Sequence, residues 1–191
     1  MRVTRAQAAE NHQRVIDVAS QLFKEHGFDG IGLTDLMKAA GLTQGGFYKQ
    51  FASKEDLVAS ACAHAIEQGK ERWLNVTSAA GEAQLQALVK FYLSAGHRDE
   101  IADGCPVVAL ASSASRRSSD VREKFEAGIN AHLDILDRCL SSAEAEQNRD
   151  KSMAALSMMV GALLLSRVVN TDALSRRFLE TATKELLAST Q

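Results

Sequence analysis

The 191-residue sequence contains little that interrupts a helix: it has one proline and twelve glycines, and several long stretches contain neither. Because these two residues disfavour the helix interior most strongly, their scarcity favours an all-α fold. The sequence also lacks strand-like alternation and internal repeats. With 46% hydrophobic and 24% charged residues, its composition is that of a globular chain and not of a disordered one.

Long apolar runs and closely spaced cysteines are missing as well. The longest apolar stretch, 158–165, is shorter than the roughly 18 residues that span a bilayer. The N-terminus carries Arg2 and Arg5 and no apolar signal core, so we expect a cytoplasmic protein without membrane association. Three cysteines, Cys62, Cys105 and Cys139, lie far apart, which suits a reducing compartment.

Motifs of catalysis and metal binding are also missing. The sequence has no glycine-rich phosphate loop, no GxSxG or HExxH motif, and no cysteines and histidines at metal-ligand spacing. Its histidines His64, His97 and His132 have no patterned partner. We therefore expect no enzyme activity, no cofactor and no metal site.

The net charge of −2 does not by itself indicate a nucleic-acid-binding protein. The charges are unevenly placed, however. Residues 1–54 contain seven Lys/Arg and five Asp/Glu, a balance of +2, which leaves −4 for residues 55–191. This asymmetry permits a nucleic-acid contact near the N-terminus but does not establish one.

Apolar periodicity and capping residues predict about nine helices. Thr34 is expected to cap a short second helix and Thr43 a third, with Gly41 between them, which gives a compact helix-turn-helix outline. Ser53 and Asp56 suggest a capping box at the start of a long fourth helix. We therefore expect a three-helix domain, 1–53, followed by a larger helical domain, 54–191. The predicted helices span 11–26, 35–40, 43–51, 54–76, 82–95, 105–115, 120–140, 146–169 and 171–188.

Residues 43–49, with the sequence TQGGFYK, have the composition of a helix that enters the DNA major groove. The Gln44 amide can read an adenine edge, and the Lys49 ammonium can reach guanine or phosphate. Gly45 and Gly46 each cost roughly 1 kcal/mol relative to alanine inside a helix, and close approach of the backbone to DNA gives them a reason. They would also suit a loop.

The aromatic residues of this stretch divide between core and surface. Phe47 and Phe51 are four residues apart on one helix face, which we expect to pack into the core. Tyr48 lies one position off that face, where its hydroxyl can reach a phosphate. Lys54, at the start of the next helix, can add a positive charge and helix-end amides to the same phosphate backbone.

Together, residues 33–57, LTDLMKAAGLTQGGFYKQFASKEDL, resemble the DNA-binding signature of the TetR-type transcription regulators, and residues 15–28 are similar to that family's first helix. The match runs without a gap from about Arg14 to Leu57. Met37 and Lys38 stand where isoleucine and alanine are commoner in the family, and Gln50 where histidine is frequent. These departures bear on the preferred DNA sequence and not on the family.

The resemblance implies a homodimeric repressor that binds a near-palindromic operator in double-stranded DNA and is released by a small-molecule effector. Two recognition helices would then meet half-sites about 34 Å apart. Arg2 and Arg5 of the N-terminal arm are further candidate contacts. The positions that the family implies at the operator are Thr34, Thr43, Gln44, Gly45, Gly46, Tyr48, Lys49 and Lys54, with Tyr48 and Lys54 on phosphates.

In this family the larger domain holds an effector cavity, and its two C-terminal helices pair with those of a second copy. Apolar stripes over 153–168 and 174–186 suit that pairing, although an internal core helix would show the same pattern. Large or adaptable side chains are the candidates for the cavity, and they would serve equally in a plain core. They are Trp73, Phe91, Cys105, Phe125 and His132, with Tyr92 beside them.

Cys105 is followed by Pro106, which suits the first turn of a helix and places the cysteine near the N-cap, where the helix dipole favours a thiolate. Such a thiol can sense electrophiles or oxidants, and some TetR-type regulators that respond to reactive electrophiles are similar there. The alternative is that Cys105 is a small buried hydrophobic residue.

For the chain as a whole, a helical adaptor without specific DNA binding is the remaining alternative.

Overall fold

The computed structural model describes residues 4–140 and 145–188, and this part of the chain is helical throughout apart from turns and loops. The expected all-α fold is confirmed. Arg2 and the predicted break at 141–143 lie outside the described residues. The α-helices are α1 (Arg5–His26), α2 (Leu33–Ala39), α3 (Lys54–Ser78), α4 (Gln84–Tyr92), α5 (Ala95–Asp99), α6 (Pro106–Ala114), α7 (Ser119–Leu140), α8 (Ala145–Val168) and α9 (Asp172–Ala188), and short 3-10 helices span Gln44–Lys49 and Gly81–Ala83.

The N-terminal helices begin earlier than the apolar pattern predicts. Helix α1 starts at Arg5 because Thr4 caps it, accepting a hydrogen bond from the Gln7 amide. Helix α2 starts at Leu33 with Gly32 at its N-cap, so Thr34 lies in the first turn and does not cap the helix as expected. The first turn of α1 carries no large apolar side chain and so shows no periodicity, whereas the start of α2 is predicted too late because Thr34 has the character of an N-cap.

Two further segments differ from the prediction in type. The third helix is a 3-10 helix, consistent with adjacent glycines that disfavour a regular α-helix. The segment 96–104 was expected to be irregular but contains most of α5, whose N-cap Ser94 accepts a hydrogen bond from the His97 amide. A five-residue helix is too short to show an apolar period.

The helix-turn-helix elements share their apolar core with the middle of the chain. This first core contains buried side chains of α1, α2, the Gln44–Lys49 helix and the N-terminal half of α3, and it continues into α6 and α7. The apolar packing therefore does not stop at residue 53. Its members include Val15, Phe23, Leu36, Met37, Phe47, Phe51, Leu57, Ile66, Leu110, Val121 and Phe125.

A second core lies towards the C-terminus and joins α4, α6, α7, α8 and α9 to the other end of α3. Its buried members include Trp73, Leu88, Tyr92, Leu136, Met159, Leu163 and Leu179. Helix α3 thus contributes to both cores. It is pressed against α7 where Gly128 faces Ile66, since a β-carbon at position 128 would lie only 2.4 Å from Ile66 Cγ2.

Arg117 lies in the turn between α6 and α7 and links this turn to the N-terminal elements. Its guanidinium donates to Asp29 at 2.6 Å, lies 3.5 Å from the Glu55 carboxylate and covers the Phe28 ring at 5.1 Å. The Ser118 amide also donates to Glu55. Both α3 and the loop before α2 are therefore tied to the end of α6.

Lys24 is a buried cation of α1. It is 4% exposed, and its ammonium has no hydrogen-bond partner among the described residues. Burial lowers the pKa of Lys24 to about 8, and the charge of Arg72 acts in the same direction, whereas Asp103 and Cys105 oppose it. Gln21, one turn earlier, donates to Asp103 at 3.4 Å.

We expect this buried charge to cost stability at neutral pH. The folded-state pKa is about 8 and the ordinary value is 10.5, so between these values the unfolded chain binds the extra proton and stability rises with pH. Lys24→Met keeps the apolar stem without the charge and should raise the free energy of unfolding at pH 7 by about 1–2 kcal/mol. The gain should shrink towards pH 10.5. Urea unfolding at pH 7 and pH 10 measures both quantities.

The matched control is Lys90→Met, which removes an exposed lysine of α4. It should change stability little at either pH. A Lys24→Met protein no more stable than the parent at pH 7 would contradict the unpaired, buried state of Lys24.

Candidate functional site

The turn between α2 and the Gln44–Lys49 helix is fixed by Gly41. Its φ of 71° lies in the left-handed region, which a residue with a β-carbon rarely adopts. The Gly41 amide donates to the Lys38 carbonyl at 3.0 Å and the Leu42 amide to the Met37 carbonyl at 2.9 Å. This pair of bonds is a Schellman C-cap, and it sets the direction in which the chain leaves α2.

The predicted division of the aromatic side chains is confirmed. Phe47 is fully buried, Phe51 is 3% exposed, and their rings stack with centroids 5.5 Å apart. His12 of α1 stacks on Phe51 from the other helix. Tyr48 is 71% exposed, and its ring edge meets Phe47. The Phe47 face therefore holds this segment on the core, and the Tyr48 face is presented to solvent.

The polar residues that the family pattern places at DNA lie on the surface. Thr34 Oγ1 donates to Gln44 Oε1 at 3.1 Å, so a side chain of α2 positions the Gln44 amide and leaves its NH2 group available as a donor. Thr43 occupies the N-cap of the 3-10 helix without a side-chain capping bond. The exposed positions are Thr34, Thr43, Gln44, Gly45, Tyr48 and Lys49, and Gly46 is half-buried.

Gly45 and Gly46 have space around them. A β-carbon at Gly45 would meet no atom within 4 Å, and one at Gly46 would meet only Thr43 Oγ1, at 3.9 Å. Neither residue has a positive φ. No contact or backbone angle within the described part of the chain therefore requires glycine at either position.

The start of α3 lies beside this surface. Ser53 Oγ accepts from the Asp56 amide at 3.1 Å, as the predicted capping box requires, whereas Asp56 Oδ2 accepts at 2.9 Å from the amide of Ala52, one residue before the N-cap, and not from that of Ser53. Lys54 donates one proton to the Ile31 carbonyl at 3.1 Å, which leaves two for another acceptor. Lys38 is also exposed, at the end of α2, although the sequence pattern did not mark it as a DNA contact.

A cavity of about 250 Å³ lies in the larger part of the protein, and residues of α3 to α7 line it. Its walls are mainly rings. Trp73 meets Tyr92 and His132 edge to face, with centroids 5.6 and 4.5 Å away, and Phe91 stacks on His97. The lining residues are Gly69, Arg72, Trp73, Phe91, Tyr92, Ser94, Gly96, His97, Glu100, Gly104, Cys105, Pro106 and His132.

Four of the five residues predicted for an effector cavity lie together here: Trp73, Phe91, Cys105 and His132. Phe125 does not line this cavity, because it packs in the first core near the N-terminal helices. Sequence reasoning missed Arg72 and His97. Arg72 adjoins Trp73 without any distinguishing pattern, and His97 lies in a segment expected to be irregular.

Both histidines of the cavity are held by backbone groups. His97 Nδ1 donates to the Tyr92 carbonyl at 2.7 Å, and its Nε2 accepts from the Cys105 amide at 3.1 Å, an arrangement that a neutral ring satisfies. His132 Nδ1 donates to the Gly128 carbonyl. Burial lowers the pKa of both rings, so the cavity presents neutral imidazoles at pH 7.

Cys105 is half-buried at the N-cap of α6 with Pro106 in the first turn, as predicted. The buried Tyr92 hydroxyl lies close enough to this thiol for the pKa of Tyr92 to respond to it, but the hydroxyl has no partner at hydrogen-bond geometry. Burial raises the pKa of Cys62 to about 12 and also raises the pKa of Cys139. Cys105 is the thiol that lines the cavity.

Helices α8 and α9 carry exposed apolar side chains. The apolar residues of the stripe predicted over 153–168 do not all face the core: Leu163 is fully buried, whereas Leu164 is 44% exposed. By length and composition Asn148–Val168 is apolar enough to cross a membrane, but α8 packs on α7 and α9, and a third of its apolar stretch is buried. The exposed apolar side chains of these two helices are Met153, Met158, Leu164, Leu165, Val168 and Leu174.

No metal centre accompanies these features: residues 4–140 and 145–188 contain no group of three or more His, Cys, Asp or Glu side chains that could hold an ion.

Protein-family comparisons cover both parts of the chain. Residues 15–61 match the bacterial regulatory proteins of the TetR family, and residues 82–182 match the C-terminal domain of the LmrA/YxaF-like transcriptional regulators. The HTH-type transcriptional regulator LmrA of Bacillus subtilis is 24% identical over 162 residues, which cover 82% of this chain and 86% of LmrA. AcrR of Shigella flexneri is 34% identical over 90 residues, 47% of this chain, and the match spans only 37% of AcrR.

Solved structures show the same fold. The reduced form of NemR from Escherichia coli has a TM-score of 0.77 at 22% identity, covering 93% of this chain and 95% of that one. A TetR-family regulator from Cytophaga hutchinsonii has a TM-score of 0.82 at 20% identity, covering 97% and 96%. The first family match contains the helix-turn-helix, and the second alone covers more than half of the sequence. The chain therefore belongs to the TetR family of transcriptional regulators.

Proposed function

We propose that this chain is a homodimeric repressor whose Gln44–Lys49 segment enters the major groove of operator DNA. The observation that carries the proposal is the pair Gly45 and Gly46 beside an exposed Tyr48. The fold has room for side chains at both glycines, so a surface that must come close to another molecule explains them better than any internal contact. A DNA backbone or base edge is such a neighbour.

The chemistry around this surface divides into base-reading and phosphate-binding groups. Gln44 presents an amide that Thr34 holds in place, which suits an adenine edge. Tyr48, Lys49 and the two remaining protons of Lys54 suit phosphates, which fix the position of the protein on the duplex but carry no sequence information.

The exposed apolar face of α8 and α9 supports pairing with a second copy. Leu164, Leu165 and Val168 are each more than 40% exposed, a concentration that a soluble single chain rarely leaves uncovered. A dimer would bury this face and bring two recognition segments to half-sites about 34 Å apart.

The cavity supports control by a small molecule. Two of its walls reach the first core: α3 extends from Trp73 to Lys54 beside the recognition segment, and α6 begins beside Cys105 and ends near Arg117, which holds Asp29 and Glu55. An effector that moves either wall would change the spacing of the two recognition segments. Repression would end because the dimer then favours a state that does not fit the operator.

Cys105 supports a second candidate, in which the same DNA-binding domain responds to electrophiles or oxidants through a thiol. The favouring observation is that Cys105 lines the cavity, whereas Cys62 is buried and its pKa is about 12. Mass spectrometry of the native protein after mild oxidation should find Cys105 modified first. Modification of Cys139 with Cys105 intact would eliminate this candidate.

Tyr48→Ala tests the operator surface. An operator is first selected from random duplexes, and affinity is then measured by gel shift at fixed salt. Since one well-placed contact is worth about 1–3 kcal/mol, we expect a loss of about fivefold or more for Tyr48→Ala, and a smaller loss for Tyr48→Phe, which keeps the ring. Both variants should fold and pair normally, because Tyr48 is 71% exposed. Unchanged affinity, or binding that is indifferent to sequence, would contradict the proposal.

Two glycine variants separate the role in DNA binding from the role in folding. Gly45→Ala should leave the melting temperature unchanged or slightly raised, because the position is open, and should weaken operator binding. Gly41→Ala should instead destabilise the protein by about 1–2 kcal/mol, because alanine is strained at a φ of 71°. Thermal unfolding and gel shift on the same samples give both readouts. Full operator affinity in Gly45→Ala would show that no close approach occurs there.

The double variant Leu165→Glu with Val168→Glu tests the pairing face. Buried carboxylates without partners would be costly at an interface, so we expect monomers in sedimentation and no operator binding. Leu74→Glu, which also replaces an exposed apolar residue but on α3, is the control and should remain dimeric. A double variant that still sediments as a dimer would place the interface elsewhere.

A further inference from the structure

We infer that the cavity accepts a small aromatic anion, such as an aryl-substituted carboxylate, whose ring lies among Trp73, Phe91 and His97 and whose charge is met by Arg72. This inference rests on the proposed function, because it identifies the chemical class of the effector of the same cavity.

The walls select for an aromatic ring. The rings of Trp73, Phe91, Tyr92 and His132 line the space. Trp73 meets both Tyr92 and His132 edge to face, so ring faces and ring edges are both present in the wall. An aromatic ligand adds offset or edge-to-face contacts to such a set. The two imidazoles are neutral, so they behave as further rings and not as cations.

The volume limits the size. A cavity of about 150 Å³ is filled by benzene. The 250 Å³ available here therefore suits one ring with a short polar substituent, about ten to twelve non-hydrogen atoms in all.

Three cations around the cavity, Arg72, Lys24 and Arg167, form no ion pair with a carboxylate in the described part of the chain. Arg72 lines the space and has no hydrogen bond or ion pair within the described part of the chain. The buried Lys24 ammonium lies close enough to Cys105 and Asp103 to be affected by their charges, yet it has no hydrogen-bond partner there. Arg167 donates to the backbone carbonyls of His97 and Arg98 and not to a carboxylate.

Glu100 is the acidic side chain that lines the cavity, and Asp103 lies near Lys24. Glu100 is exposed to solvent, which screens its charge, and Asp103 accepts a hydrogen bond from Gln21. Of the two charged side chains that line the cavity, Arg72 is the less exposed. A cationic ligand would be repelled, and a neutral one would leave Arg72 without a counter-charge.

Two further features favour an anion. Helix α6 begins at the cavity wall, its N-cap Cys105 makes no side-chain capping bond, and no acidic residue lies in its first turn, so the positive end of the helix dipole is uncompensated. Tyr92 also lines the cavity, and its buried hydroxyl has no hydrogen-bond partner among the described residues. A carboxylate supplies the acceptor that such a hydroxyl lacks.

Isothermal titration of the full-length dimer compares three probes of one size: 3-phenylpropanoate, its neutral amide and 3-phenylpropylammonium. Because a charge-assisted bond is about twice as strong as a neutral one, the acid should bind about tenfold more tightly than the amide, and the ammonium most weakly. Trp73 is the only tryptophan of the chain, so a change in its emission locates binding in this cavity.

Arg72→Gln supplies the decisive comparison. The variant should lose most of the preference for the acid while its affinity for the amide stays the same, and Arg122→Gln, which removes an exposed arginine of α7, should retain the preference in full. Equal binding of acid and amide by the parent protein would overturn the inference. So would undetectable acid binding at millimolar concentration, or an acid preference that is undiminished in Arg72→Gln.

Operator binding of the same samples is measured separately by gel shift. If the operator is bound normally but the amide or the ammonium is the preferred probe, the ligand class is wrong and the proposed repressor function stands. If the parent protein binds no operator selectively, the proposed function fails whatever the probes show.

Discussion

The close contact between Ile66 of α3 and Gly128 of α7 joins the two halves of the protein. With no side chain at position 128, the two helices approach so closely that α3 cannot shift on α7 without disturbing the packing of both cores. The N-terminal half of α3 is buried among the helix-turn-helix side chains, and Trp73, further along, is buried in the second core. The proposed DNA-binding surface and the cavity therefore share one continuous helix of 25 residues.

Helix α6 provides a second connection of a different kind. Its N-terminal end is part of the cavity wall, and Arg117 beyond its other end binds Asp29 and Glu55 through charge and Phe28 through a cation–π contact. Lys24 adds a third element, since it places an unpaired charge of α1 beside Cys105. The cavity is thus surrounded by groups whose positions also matter to the N-terminal helices.

The sequence predicted the helix-turn-helix well because its determinants are local. Gly41 must adopt a positive φ, Phe47 and Phe51 must share a face, and Ser53 must cap a helix, and each of these follows from a few neighbouring residues. The 3-10 form of the Gln44–Lys49 helix was missed because the pattern of buried residues is the same in a short 3-10 helix and a short α-helix.

The cavity was only partly predictable because tertiary packing builds it. Large aromatic side chains suggested Trp73, Phe91 and His132, but Phe125 has the same character and packs elsewhere. Arg72 and Lys24 gave no signal at all, since a lysine or arginine on a helix is usually solvated. What distinguishes them is the lack of partners after folding, and that property belongs to the structure alone.

The most direct test of this account is the emission and acrylamide quenching of Trp73 while the protein is saturated with its selected operator. Because Trp73 lies on the helix that begins beside the proposed DNA-binding surface, and because coupling between two sites is reciprocal, operator binding should change both quantities relative to a scrambled duplex at the same salt. Identical emission and quenching with the two duplexes, under conditions where gel shift shows the operator fully bound, would contradict the coupling of surface and cavity through α3.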